Sequence, residues 1–207
     1  MSARRALTAG AGAGTVRAME HRATQGRRLS PDELARLEAV MRTPFGAVGV
    51  RTEAVGTEDE CVGELLYLPH GVREIAPKNR LAREACAQIE RYLADPTYSL
   101  ELPLKPVGTR YQRRVWEKIA AIPAGRVRSY GEVAKDLRSG PRAVGQACGA
   151  NFFPLAIPCH RVVASGGIGG FGGTKGASGI GSARGDDGFH LAIKRWLLAH
   201  EGIAFQE

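Results

Sequence analysis

Five consecutive residues of the chain, Pro158-Cys159-His160-Arg161-Val162, set a thiol, an imidazole and a guanidinium in a row. They interrupt an apolar run, with Pro154, Leu155, Ala156 and Ile157 before them and Val163 and Ala164 after. Runs of this kind form buried strands. A cysteine there is ordinarily inert core, but burying His160 and Arg161 beside it is costly unless both are partnered. Three such groups in one buried stretch predict a site rather than packing. A thiolate is a strong soft nucleophile, and a thiol near neutral pH needs a neighbouring base or positive field to reach that form. His160 is the obvious base. Consecutive strand residues face opposite ways, so His160 must reach Cys159 through a bent backbone or a bridging water.

The elements that would position these groups are legible upstream. Ser129-Tyr130-Gly131-Glu132 is a capping box, predicting a helix over 130–138 with Val133, Ala134 and Leu137 inward. Ser139-Gly140-Pro141 ends it and starts a second helix over 142–150, since Pro fits a first helical turn. The second helix carries small side chains, Ala143, Gly145 and Ala147 among them, which permit close approach to another backbone. That backbone is either nucleic acid, in a helix-turn-helix, or a neighbouring helix in a tight hairpin.

Further elements follow from the same signals. Ser30-Pro31-Asp32-Glu33 predicts a helix running to about Met41. Residues 45–52 and 62–68 are expected as strands of a small sheet, and 79–94 as an amphipathic helix with Leu81, Ala85, Ile89 and Leu93 inward. The proline-bounded segment 96–106 is the expected crossing between domains. A helix over 111–121 should bury Val115, Trp116 and Ile119, and a last helix over 189–200 should present Ile193, Trp196 and Leu197.

Charge divides the chain. The formal net charge is +8; residues 1–104 hold 14 basic and 14 acidic side chains, whereas 105–207 hold 15 basic and 7 acidic. A basic half beside a neutral half fits a polyanion partner on one face. The four cysteines, Cys61, Cys86, Cys148 and Cys159, have neither paired nor metal-like spacing, so no metal site is expected. No stretch approaches the roughly 20 apolar residues of a membrane span. Arg4-Arg5 and the weakly apolar residues after them do not make a signal peptide. With free thiols, a reducing cytoplasm is the expected compartment.

The run Ser129-Tyr130, Arg142-Ala143-Val144-Gly145, Asn151, Pro158-Cys159-His160-Arg161-Val162 and Trp196-Leu197-Leu198-Ala199-His200-Glu201-Gly202 resembles the O6-alkylguanine-DNA alkyltransferases. The likeness covers about 108–202. Before it, only Thr43-Pro44-Phe45-Gly46 and Gly63-Glu64-Leu65-Leu66-Tyr67 look like the family's strand-rich N-terminal domain. The resemblance implies an irreversible transfer of the alkyl group from O6-alkylguanine in double-stranded DNA to Cys159, and leaves O4-alkylthymine open as a second substrate. Each molecule would act once, as a monomer and without a cofactor. It further implies that Glu201 orients His160 and that Arg161 holds the surrounding loop. Arg142 would fill the space of the extruded base, Tyr130 would crowd the adjacent phosphate, and Ala143 and Gly145 would lie close to the minor groove. Asn151 would be the hinge to the nucleophile. Backbone groups at Cys159 and Val162 would read the guanine edge in a pocket completed by Phe171 and Gly172.

The expected fold is α+β. It comprises a disordered extension over 1–28, a small α/β domain with a short sheet over 29–104, and a mainly helical domain over 105–207. The last contains the helix-turn-helix, winged-helix-like, and the active-site Cys159. The extension has an equally simple alternative, a true start at Met19 or Met41. The Gly/Ser-rich stretch 174–188 departs from the family pattern as an insert, either a surface excursion or a device tuning substrate size or DNA contact. Two other classes compete. A DNA-binding module without chemistry does not need Cys159, and a cysteine hydrolase usually draws its base from a distant segment and shows an oxyanion loop.

Overall fold

The computed structural model describes residues 29–55, 59–169 and 187–205. The expectations for 1–28, for Phe171 and Gly172, and for the insert up to residue 186 lie outside the described residues.

The chain mixes helices with a small antiparallel sheet. Ser30 caps α1 (Pro31–Ala35), its side chain and that of Glu33 bonding reciprocally to the backbone. This helix stops well short of Met41. Residues 39–43 instead form β1 (Ala39–Thr43), antiparallel to β2 (Gly46–Val55), which in turn pairs with β3 (Asp59–Leu68). Pairing with β2 buries Ala39 and Val40, a gain that local helix propensity cannot match. Gly46, at φ 132°, makes the reversal, and a Cβ there would lie 2.4 Å from the Leu68 carbonyl oxygen.

The helix α2 (Arg80–Ala94), capped by Asn79, buries Leu81, Ala85, Ile89 and Tyr92. Leu93, expected inward, is only partly buried, and Tyr92 takes the inner position. At 3.6 residues per turn, Tyr92 lies about 20° from Leu81 around the helix, whereas Leu93 lies about 120° away. The crossing segment is bound to the sheet rather than loose. Leu104 bridges Val62, and the Gln88 side chain bonds both backbone groups of Glu101.

Three helices follow: α3 (Arg110–Ala120), α4 (Tyr130–Asp136) and α5 (Pro141–Gly149). Capping boxes at Thr109 and Ser129 start the first two, and Pro141 opens the third. The Trp116 indole donates to the Ala147 carbonyl at 2.9 Å, locking α3 against α5. The apolar run around Cys159 is buried as expected but is not a continuous strand. Residues 159–161 form a 3₁₀ turn (Cys159–Arg161), and only β5 (Val162–Val163) is extended, parallel to β4 (Arg128–Ser129). The last helix, α6 (Asp187–His200), buries Ile193 and Leu197 and half-buries Trp196. One apolar cluster runs from Ala39 in β1 to Leu197 in α6, so both halves of the chain share it. No helix among the described residues is long and apolar enough to cross a membrane.

Candidate active site

Asn151 folds the segment that carries the cysteine. It follows α5, and its backbone N–H donates to the Cys148 carbonyl at 3.1 Å. Its side-chain amide donates to the Ile157 carbonyl at 2.8 Å and to the Cys159 sulfur at 3.2 Å, while its oxygen accepts from the Phe153 N–H at 2.9 Å. One buried side chain thus satisfies backbone groups that a strand would have paired in a ladder. This explains why 152–158 loops instead of extending. The 3₁₀ turn then sets consecutive side chains a third of a turn apart rather than on opposite faces.

Glu201, just past the end of α6, is the hub of the site. Its Oε1 lies 2.8 Å from His160 Nε2 and accepts from the Tyr92 hydroxyl at 2.9 Å and from Arg161 Nη2 at 2.9 Å. Arg161 Nε reaches Oε2 at 3.0 Å, and its Nη1 donates to the Ile122 carbonyl at 2.6 Å. The carboxylate side chain is 0 % exposed. An ionised carboxylate only accepts hydrogen bonds, so His160 must carry its proton on Nε2. Nδ1 then presents a lone pair, buried and without a hydrogen-bond partner among the described residues.

The electrostatics follow from this packing. Burial alone would raise the Glu201 pKa, but hydrogen bonds and charge from His160 and Arg161 outweigh it and hold the carboxyl at about 2. Burial lowers the His160 pKa, opposed by Glu201 and assisted by the charges of Arg161 and Lys194, so the ring rests neutral. Burial and the neighbouring Cys148 thiol raise the Cys159 pKa well above its ordinary value, against the Asn151 hydrogen bond and the Lys194 charge. At rest Cys159 is therefore a thiol. The four cysteines are free.

Cys159, His160, Arg161, Asn151 and Glu201 are thus all buried at the 3₁₀ turn, Asn151 bonded to Cys159 and Glu201 to both His160 and Arg161. Arg142 stands apart, exposed in the first turn of α5, with Ala143 and Gly145 half-buried behind it. A Cβ at Gly145 would meet the Tyr130 ring at 3.9 Å, so that glycine faces the tyrosine. Tyr130 is half-buried at the start of α4. Burial, followed by the Cys148 and Cys159 thiols, raises its pKa. Val162 is buried in β5, its N–H bonded to the Cys159 carbonyl.

Two residues of this centre were not anticipated. Lys194 is 0 % exposed and donates to the Val162 carbonyl at 2.7 Å, with its ammonium 5.7 Å from the Tyr130 ring centroid. Burial lowers its pKa to about 8, against the two thiols. The signal was present: His190, Ile193, Lys194, Leu197, Leu198 and Glu201 follow the spacing of a single inward helical stripe. Tyr92 had no such signal, because its partner is 109 positions away.

The arrangement defines a protein with one buried thiol set beside an oriented, neutral imidazole and two short helices. A family profile described as "6-O-methylguanine DNA methyltransferase, DNA binding domain" matches residues 110–203. The methylated-DNA–protein-cysteine methyltransferase of Archaeoglobus fulgidus is 40% identical over 120 residues, covering 58% of this chain and 75% of that protein. The protein of the same name from Methanosarcina acetivorans is 39% identical over 123 residues, covering 58% of this chain and 69% of the relative. A crystal structure of Mycobacterium tuberculosis OGT in complex with DNA superposes with a TM-score of 0.58 at 27% identity, covering 78% of this chain and 90% of that one. The chain belongs to the methylated-DNA–protein-cysteine methyltransferase family.

Proposed function

We propose that this protein repairs DNA by transferring the alkyl group of O6-alkylguanine to its own Cys159. The carrying observation is the buried arrangement in which Asn151 bonds the Cys159 sulfur and Glu201 fixes the tautomer of His160. In the reaction, the Cys159 S–H proton passes to His160 Nδ1, directly after a small side-chain turn or through a water. The sulfur attacks the saturated carbon on O6, an S–C bond forms, and the C–O6 bond breaks. The electron pair leaves with guanine, which recovers the proton from the imidazolium to become the normal base. Glu201 stabilises the imidazolium that forms between these steps, while Arg161 holds the carboxylate in place. Lys194 adds positive charge that favours the thiolate. The thioether product has no hydrolytic route in this site, so each molecule turns over once.

The α4–turn–α5 unit is read as a helix-turn-helix, winged-helix-like, on a DNA-facing C-terminal half over 105–207. Extruding the modified base from the duplex costs a few kcal/mol. The exposed position of Arg142 suits a side chain that fills the vacated stack, because Arg both stacks and hydrogen-bonds. Tyr130 would press the neighbouring phosphate while Ala143 and Gly145 allow close approach. Backbone groups at Cys159 and Val162 would read the guanine edge. Phe171 and Gly172 would complete the pocket.

Intact mass after incubation with an oligonucleotide containing O6-methylguanine tests the proposal. One added methyl, mapped to Cys159, is expected. No gain would leave a binding module, sustained turnover would indicate a hydrolase, and a label on Cys61, Cys86 or Cys148 would reassign the nucleophile.

A further inference from the structure

We infer that Tyr92, on α2 in the half of the chain without an active-site motif, is a positioning residue for the Glu201–His160 pair. The inference rests on the alkyl-transfer reading above. The Tyr92 hydroxyl donates to Glu201 Oε1 at 2.9 Å, the same oxygen that faces His160 Nε2 at 2.8 Å. The tyrosine is 2% exposed, so the bond is shielded from competing water. A second contact fixes the same junction, since the Tyr92 carbonyl lies 2.9 Å from His200 Nε2 and the two rings meet edge to face with centroids 5.4 Å apart. Tyr92 therefore grips the end of α6 at the residue before Glu201 and also holds the carboxylate.

The consequence is chemical as well as structural. Glu201 shares its negative charge among Tyr92, His160, Arg161 and the Gly125 N–H. Tyr67 on β3 also faces it, its own hydroxyl pKa raised first by burial. His160 in turn feels Glu201, Arg161 and Lys194. A hydroxyl that occupies Oε1 draws charge away from the His160 side of the carboxylate. It thereby lowers the tendency of His160 to hold a proton before Cys159 offers one. Removing that hydroxyl leaves more negative charge facing the imidazole, favouring the imidazolium.

Tyr92→Phe keeps the buried ring and removes only the donor. The test measures the rate of Cys159 alkylation by free O6-benzylguanine against pH, together with the NMR titration of His160 in the full chain without substrate. The acid limb of the rate profile and the His160 titration should both move upward by roughly half a pH unit, about a threefold rate loss on that limb. In a Glu201→Gln background the same substitution should move neither. A profile scaled down without a shift, or an unmoved His160 titration in a variant that melts as a folded protein, would overturn the inference. The titration needs no reaction, so it separates this result from failure of the unaltered chain to accept an alkyl group, which would defeat the functional reading itself.

Discussion

The side-chain amide of Asn151 donates to the sulfur of Cys159 at 3.2 Å, and the same nitrogen donates to the Ile157 carbonyl at 2.8 Å. The residue that shapes the loop thus also touches Cys159. Asn151→Ala should strand the buried Phe153 N–H, while the Ile157 carbonyl keeps its bond from the Cys159 N–H, and should lower stability by about 1–3 kcal/mol. Asn151→Asp keeps the acceptor for Phe153 but sets a negative charge beside Cys159. It should slow alkylation by O6-benzylguanine beyond what its lost stability explains. Urea unfolding alongside single-turnover rates checks both, and parallel losses in the two variants would mean that Asn151 acts only on folding.

Stability should fall in acid through Glu201. Its carboxyl is held at about 2, below the ordinary 4.5, so the unfolded chain binds more protons between those values. The contribution is fully present above about pH 4.5 and is lost as the pH falls towards 2. Burial also depresses the His160 pKa from 6.5, which adds a loss of the same sign below that value. Glu201→Gln should flatten the lower part of the curve while costing about 3–5 kcal/mol at neutral pH, because Arg161 loses its buried partner. Chemical denaturation across pH measures both, and an unchanged acid slope would contradict the assignment.

Arg142 should matter to DNA and not to the thiol. Arg142→Ala is expected to slow repair of duplex DNA far more than reaction with free O6-benzylguanine, since only the duplex requires base extrusion. Equal losses on the two substrates would place Arg142 in another role.

Lys194→Met should slow alkylation by O6-benzylguanine at pH 7 by on the order of tenfold, the equivalent of about one pKa unit at Cys159. In the unaltered chain the Lys194 charge is lost above about pH 8, so the ratio of the two rates should shrink there. A pH-independent ratio would point to packing alone.

Binding to undamaged duplex should weaken steeply with salt and vary little with sequence, because phosphate contacts release counterions. If the basic residues of 105–207 make those contacts, neutralising Arg142 should reduce the slope of log affinity against log salt by about one. Neutralising the exposed Arg83 of α2 should leave it unchanged. A slope altered by Arg83 would extend the DNA surface into the first half.

The sequence alone determined whatever depends on neighbours within a turn. Ser30 and Ser129 reach a backbone N–H three residues on, and Pro141 fits a first helical turn whatever surrounds it. The Cys159-His160-Arg161 run and Glu201 were legible because burying such groups implies partners, although the sequence did not show who they were. Tertiary structure decided the rest. Residues 39–43 became a strand because β2 offered a ladder and a core, and 152–158 looped because the Asn151 side chain supplied the bonds a strand would need. Tyr92 and Lys194 entered the site because α2 and α6 pack against it from distant parts of the chain. Periodicity reports which face of a helix is buried. It carries no information about which functional group lies across the interface, since that depends on how elements far apart in sequence meet.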